Sequence, residues 1–117
     1  MKKIYISGKI SGIEELAPLL FEIAENLLEK EGFETINPLT INHNHDLTWE
    51  IYMKVDIKAM CDCGSIYLLK NWYNSKGAII EHDLAKKLKF EMIYEKELTF
   101  LQKIKLNYLR LKIFLGK

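Results

Sequence analysis

The chain has 117 residues, a length that suits one domain and leaves no room for a second. Hydrophobic residues make up 49%, enough for a buried core, which excludes a disordered chain. Lys and Arg number 17 against 16 Asp and Glu, a formal net charge of +1, so the basic excess of a dedicated nucleic-acid binder is missing.

Ile4-Tyr5-Ile6, β-branched and aromatic, reads as a buried first strand ending at Ser7-Gly8. This start is too short in apolar residues for a signal peptide, and Gly8-Lys9 interrupts it. A loop with two glycines, Gly8-Lys9-Ile10-Ser11-Gly12, leads into a helix over about 17–31. Its apolar residues Leu16, Leu19, Leu20, Ile23 and Leu27 recur at three- and four-residue steps, Pro18 fits the first turn, and Gly32 caps the end. Phe33 to Ile36 is a second strand, closed by Asn37-Pro38, and 38–47 is a polar loop. Thr48 caps a helix from Trp49 to Cys61, with Ile51, Val55 and Ala59 on one face. Ser65 to Leu69 is a third strand, 70–76 a loop, Gly77 to Leu88 a third helix and Phe90 to Tyr94 a fourth strand. A basic helix from about Leu98 to Phe114 ends the chain.

The order βαβαβαβα predicts a Rossmann- or flavodoxin-like three-layer α/β sandwich: a four- to five-stranded parallel sheet with helices on both faces. Ligands on such sheets bind beyond the carboxyl ends of the strands, which singles out the loops after Ile6, Ile36 and Leu69. No stretch reaches the ~20 apolar residues of a membrane span. Cys61 and Cys63, spaced C-x-C, have no second pair to complete a zinc site and read as reduced thiols of a cytoplasmic protein.

Three groups of residues carry candidate chemistry. The loop Ser7 to Gly12 is either an ordinary βα turn or an anion cradle of backbone amides and hydroxyls, with Gly8 and Gly12 allowing close approach. In Asn71 to Glu81, Ser75 is placed to bind an anion together with the amides of the helix beginning at Gly77, and Glu81 lies one turn further on. Glu81 faces either the ligand crevice or solvent. Asp56 borders the apolar stripe of its helix, or is a surface carboxylate beside Lys54 and Lys58. Two carboxylates in one cleft divide nucleophile and acid roles in glycoside chemistry. Trp49, Trp72 and Tyr73 are able to stack on a base or to pack in the core. His43-Asn44-His45-Asp46 holds too few metal ligands and reads as a solvated loop; His82 either supports Glu81 from behind or, as the preferred reading, is a surface histidine.

Taken together, Lys3-Ile4-Tyr5-Ile6-Ser7-Gly8-Lys9-Ile10-Ser11-Gly12, Asn37-Pro38, Trp49-Glu50-x-Tyr52-Met53-x-x-Asp56 and Trp72-x-Asn74-Ser75-x-Gly77-Ala78-x-x-Glu81-His82 resemble the nucleoside 2-deoxyribosyltransferase superfamily. The chain looks closest to a small family of uncharacterised bacterial and phage proteins within it. The resemblance implies cleavage or transfer at the N-glycosidic bond of a deoxynucleoside or its 5′-monophosphate. By that match Glu81 attacks C1′, Asp56 assists the base and sugar, and Tyr5 sits near the nucleophile. Ser7, Gly8, Lys9, Ile10, Ser11, Gly12, Ser75 and Gly77 would cradle phosphate, and Trp49, Trp72 and Asn37 would form the base pocket. No metal or organic cofactor is implied, nor a nucleic-acid polymer or membrane partner, and a homodimer is expected. Two departures stand out: His82-Asp83 follow the glutamate where the family usually has a glycine, and Lys9 replaces a common proline or serine. The alternative is a non-catalytic module that binds a nucleotide or nucleotide-derived signal; a structural protein acting through the basic tail is a third reading.

Overall fold

The computed structural model describes residues 2–43, 48–96, 108, 112, 115 and 116. In chain order the elements are β1 (Lys3–Ser7), α1 (Ala17–Lys30), β2 (Glu34–Ile36), a 3₁₀ turn (Pro38–Thr40), α2 (Trp49–Met60), β3 (Ser65–Leu68), a second 3₁₀ turn (Trp72–Asn74), α3 (Lys76–Lys87) and β4 (Glu91–Tyr94). The expected helix over 98–114 lies almost wholly outside the described residues; Tyr108, Lys112 and Leu115 are helical.

The strands form one parallel sheet in the order β2-β1-β3-β4. Tyr5 pairs with Ile36 on one side and Ile66 on the other, and Ser7 pairs with Leu68. From β1 the chain goes outward to β2, then crosses back to β3. The carboxyl ends of β1 and β3 therefore form the topological switch point, where the connections leave in opposite directions and open a crevice.

Side chains alternate along β1 and divide the core in two. Ile4 and Ile6 join Tyr67 and Leu69 beneath Ala17, Phe21, Ala24 and Leu28 of α1. Tyr5, Ile66 and Leu68 face the other way, against Met60 of α2 and Ala85 of α3. One helix covers one face and two cover the other, giving three layers. No helix among the described residues is long and apolar enough to cross a membrane.

The strands match the sequence reading to within a residue, but the helix faces do not. In α1 the buried stripe is Ala17, Phe21, Ala24 and Leu28, while Ile23 and Leu27 are exposed. Two alanines let the helix approach the sheet closely, and Phe21 fills the space that remains. In α2 the buried residues are Met53, Asp56 and Met60, and Ile51 is exposed. In α3 they are Ala78, Glu81, His82 and Ala85, with Ile79 and Ile80 outside. A carboxylate and an imidazole thus occupy helix positions that ordinarily go to aliphatic residues.

Candidate functional site

A cavity of about 570 Å³ opens at the switch point. Tyr5, on the last turn of pleat before β1 ends, lies at its floor beside Glu81. Glu81 reaches it because Ser75 starts α3 at the right place: the Ser75 hydroxyl accepts from the Ala78 N–H at 3.1 Å, a side-chain N-cap. Two turns of helix then bring residues 78, 81, 82 and 85 onto the sheet.

The Glu81 carboxylate is 5% exposed and held by two hydroxyls. The Tyr5 hydroxyl donates to Oε2 at 2.6 Å, and the Ser7 hydroxyl donates to Oε1 at 2.7 Å. Both distances are in the short range of charge-assisted bonds. Burial pushes the Glu81 carboxyl up to about 7; the Tyr5 and Ser7 bonds oppose the rise, and the charge of Asp56 adds to it. The Tyr5 phenol is raised well above its usual value, by burial first and then by Glu81.

Asp56 lines the same cavity from α2. It lies on the buried face of its helix, not on the surface beside Lys54 and Lys58. Its carboxyl is raised by burial, against the stabilising hydrogen bond of His43. His43 Nε2 is 2.6 Å from Asp56 Oδ1, and the imidazole stacks on Tyr52 with centroids 4.5 Å apart. His43 therefore belongs to the site and not to a solvated loop, which corrects the sequence reading of 43–46 at this residue; 44–46 lie outside the described residues. No pattern could have found it, because an irregular loop has no periodicity to aim a side chain.

The remaining expected site residues separate into two sets. Gly8, Lys9, Ile10 and Ser11 form one edge of the cavity, and Ser75 and Gly77 stand on the edge made by the start of α3. Trp49 stands at the rim, with the Lys76 ammonium 4.1 Å from its ring centroid. The sequence reading missed Asn74 and Lys76 as lining residues, together with an apolar wall of Phe21, Pro38, Leu39, Tyr52 and Met53.

Four residues sit elsewhere. Ser7 is fully buried, and its hydroxyl is committed to Glu81 instead of to a ligand. The Gly12 N–H is held by both carboxylate oxygens of Glu14 at 3.0 Å, and its φ of +91° marks a turn residue. Asn37 caps the first 3₁₀ turn, accepting from the Leu39 N–H at 3.0 Å, and its side chain also bonds Glu25. Trp72 stacks on His82 with centroids 4.0 Å apart. None of the four lines the cavity.

Two glycines of the cavity edges have packing reasons of their own. A Cβ on Gly8 would lie 2.5 Å from Leu69 Cδ1, and one on Gly77 would lie 2.9 Å from Met53 Sδ. The Lys9 N–H, a candidate anion donor, is taken by Asn71 Oδ1 at 2.9 Å, which ties the loop after β1 to the loop after β3. Among the described residues no group of His, Cys, Asp and Glu is arranged to hold a metal ion.

No curated protein matches the sequence. A solved structure of the 2-deoxyribosyltransferase from the psychrotolerant bacterium Bacillus psychrosaccharolyticus is similar at 19% sequence identity, over 85% of this chain and 77% of that one, with a TM-score of 0.61. That likeness shows the fold: a parallel sheet and helices arranged as in a nucleoside 2-deoxyribosyltransferase. Residues 2–94, the whole of the sheet and every described residue of the cavity, match the model of the family described as Domain of unknown function (DUF4406), and the chain belongs to that family.

Proposed function

We propose that this protein cleaves or transfers at the N-glycosidic bond of a (deoxy)nucleoside 5′-monophosphate, with Glu81 as the nucleophile. The observation that carries the reading is the Glu81 carboxylate, buried at the β1–β3 switch point, held by the Tyr5 and Ser7 hydroxyls and sharing one cavity with Asp56. Burying a carboxylate is unfavourable, and a group merely filling space would be aliphatic.

In the first step a Glu81 oxygen attacks C1′ and the C1′–N bond breaks, its electron pair leaving with the base. The proton shared by Asp56 and His43 passes to the departing nitrogen. Water, or the nitrogen of a second base, then attacks C1′, gives its proton back to the Asp56–His43 pair and releases the Glu81 carboxylate. Tyr5 and Ser7 keep the carboxylate aimed throughout. The volume of about 570 Å³ is within the range of small-molecule sites. The apolar wall of Tyr52, Met53 and Leu39 suits a base, and the edge formed by Lys9, Ser11, Ser75 and the first turn of α3 suits a phosphate.

The test is incubation with each of the four deoxynucleoside 5′-monophosphates, following free base by chromatography. Base release by wild type and a loss of at least ~10³-fold in Glu81→Ala are expected. Release undiminished in Glu81→Ala rejects the nucleophile. A thermal shift with one nucleotide and no release by either protein points to the binding module instead. The same reading expects a homodimer in the cytoplasm, and the exposed Ile79 and Ile80 on α3 offer apolar surface for it. Light scattering during size exclusion checks this, with twice the chain mass expected.

A further inference from the structure

His82 follows Glu81 in the chain and shares the buried face of α3 with it. It is 8% exposed, and both ring nitrogens and one ring face are engaged. Nδ1 lies 2.8 Å from Asp83 Oδ1 and Nε2 lies 2.8 Å from the Tyr94 hydroxyl. The ring stacks on Trp72 with centroids 4.0 Å apart and planes 17° from parallel. An ionised carboxylate only accepts, so Nδ1 carries the proton and, in the neutral ring, Nε2 accepts from Tyr94.

These partners come from separate parts of the fold. Trp72 opens the 3₁₀ turn that ends at Asn74 on the cavity edge, and the next residue, Ser75, lines the same edge and caps α3. Tyr94 is the last residue of β4. Asn71, beside Trp72, holds the Lys9 N–H of the facing cavity edge. His82 joins the first turns of α3 to the loop after β3 by stacking on Trp72 and to the end of β4 by its bond to Tyr94. Packing alone would be served by a leucine, and a leucine would make neither hydrogen bond.

We propose that His82 is a positioning residue, which through Trp72, Tyr94 and Asp83 fixes the turn of α3 carrying Glu81 and so keeps the carboxylate between the Tyr5 and Ser7 hydroxyls. This extends the reading of Glu81 as nucleophile and rests on it for any effect on turnover, but the placement of the carboxylate is measurable without turnover. Loss of the His82 bonds lets the turn move outward and lengthens the two bonds to Glu81. Misplacement by fractions of an ångström slows the attack while leaving the substrate's other contacts in place.

The experiment compares wild type with His82→Phe, which keeps a stacking ring and loses both hydrogen bonds, and Tyr94→Phe, which removes one partner. Both are checked for folding by thermal melting. The Glu81 carboxyl is followed by NMR of glutamate labelled with 13C at Cδ, assigned with Glu81→Gln. The Glu81 midpoint is expected to rise by about half a pH unit or more in His82→Phe, because the bonds that favour the charged form weaken. Where wild type turns over, kcat falls roughly tenfold to a hundredfold with KM within about twofold. An unchanged or lowered midpoint in both folded variants overturns the proposal. If His82→Phe does not fold, Tyr94→Phe decides it alone. A wild type that releases no base rejects the catalytic reading and leaves the titration to judge His82 by itself.

Discussion

At the scale of the residue, Glu81 sets the burial of its carboxyl against the charge that it carries. Its carboxyl is raised from 4.5 to about 7, chiefly by burial. A carboxyl raised on folding binds its proton more tightly in the native state, so its stabilising contribution is complete below pH ~4.5 and is lost as pH climbs through ~7. The shift corresponds to on the order of 3 kcal/mol of stability withdrawn at alkaline pH. Glu81→Gln keeps the shape without the charge. It is expected to be more stable than wild type by ~1–3 kcal/mol at pH 8, with the difference shrinking to near zero at pH 4.5. Urea melts at the two pH values measure this. Equal stability at pH 8 would mean that Tyr5 and Ser7 compensate the buried charge fully. For the same reason Glu81 was legible only as a candidate: its position four after Gly77 follows from the chain, but its burial depends on which way α3 is rolled.

At the scale of the element, strands and helix ends were readable and helix rotation was not. Ile4-Tyr5-Ile6 and Ser65-Ile66-Tyr67-Leu68 declare themselves by β-branched and aromatic content between turn residues, and each became a strand. Hydrophobic size is a poor guide to helix rotation where small residues face the sheet. Leu19, Ile23 and Leu27 outweigh Ala17 and Ala24 in any apolar pattern, yet the alanines are buried. In α3 the polar pair Glu81 and His82 reversed the pattern outright. Helix ends obey local rules. Gly32, with φ of +93°, closes α1 through bonds from Gly32 N–H to the Glu29 carbonyl at 2.9 Å and from Phe33 N–H to the Leu28 carbonyl at 3.1 Å, a Schellman arrangement. At the end of α3 the same bonds run from Lys89 to Lys86 at 3.2 Å and from Phe90 to Ala85 at 2.9 Å. Here the left-handed position, φ 61°, is held by Lys89, whose Cβ is strained there. Lys89→Gly is expected to stabilise the protein by ~0.5–1 kcal/mol without touching the cavity, measured as a rise in the urea midpoint. Destabilisation would mean that the lysine side chain contributes more than its backbone strain removes.

At the scale of the whole molecule, the sheet order places everything the chemistry would need within residues 5–81. The floor comes from β1, one edge from the loop after it, the other edge from the start of α3 and the apolar wall from α1, α2 and the loop after β2. That arrangement follows from the alternation of elements, which is why the sequence alone marks the carboxyl ends of the strands. The side chains that complete it come from far apart: Tyr5 and Glu81 are 76 residues apart in sequence, and His43 reaches Asp56 from a loop. No short motif encodes such pairs. The tail beyond 96 is a different matter. Its described residues bond within the tail, Gly116 N–H to the Lys112 carbonyl at 3.0 Å, and the family match stops at residue 94. Reading the chain as one domain with an appended basic helix predicts that residues 1–96 fold alone. The truncated protein is expected to melt in one cooperative transition, and to show the same thermal shift as the full chain with any deoxynucleoside monophosphate that shifts the latter. A truncated chain that fails to fold would make the tail part of the core. One that folds but gains no nucleotide shift would make the tail a wall of the binding site, and the cavity between Lys9 and Ser75 would then be only half of it.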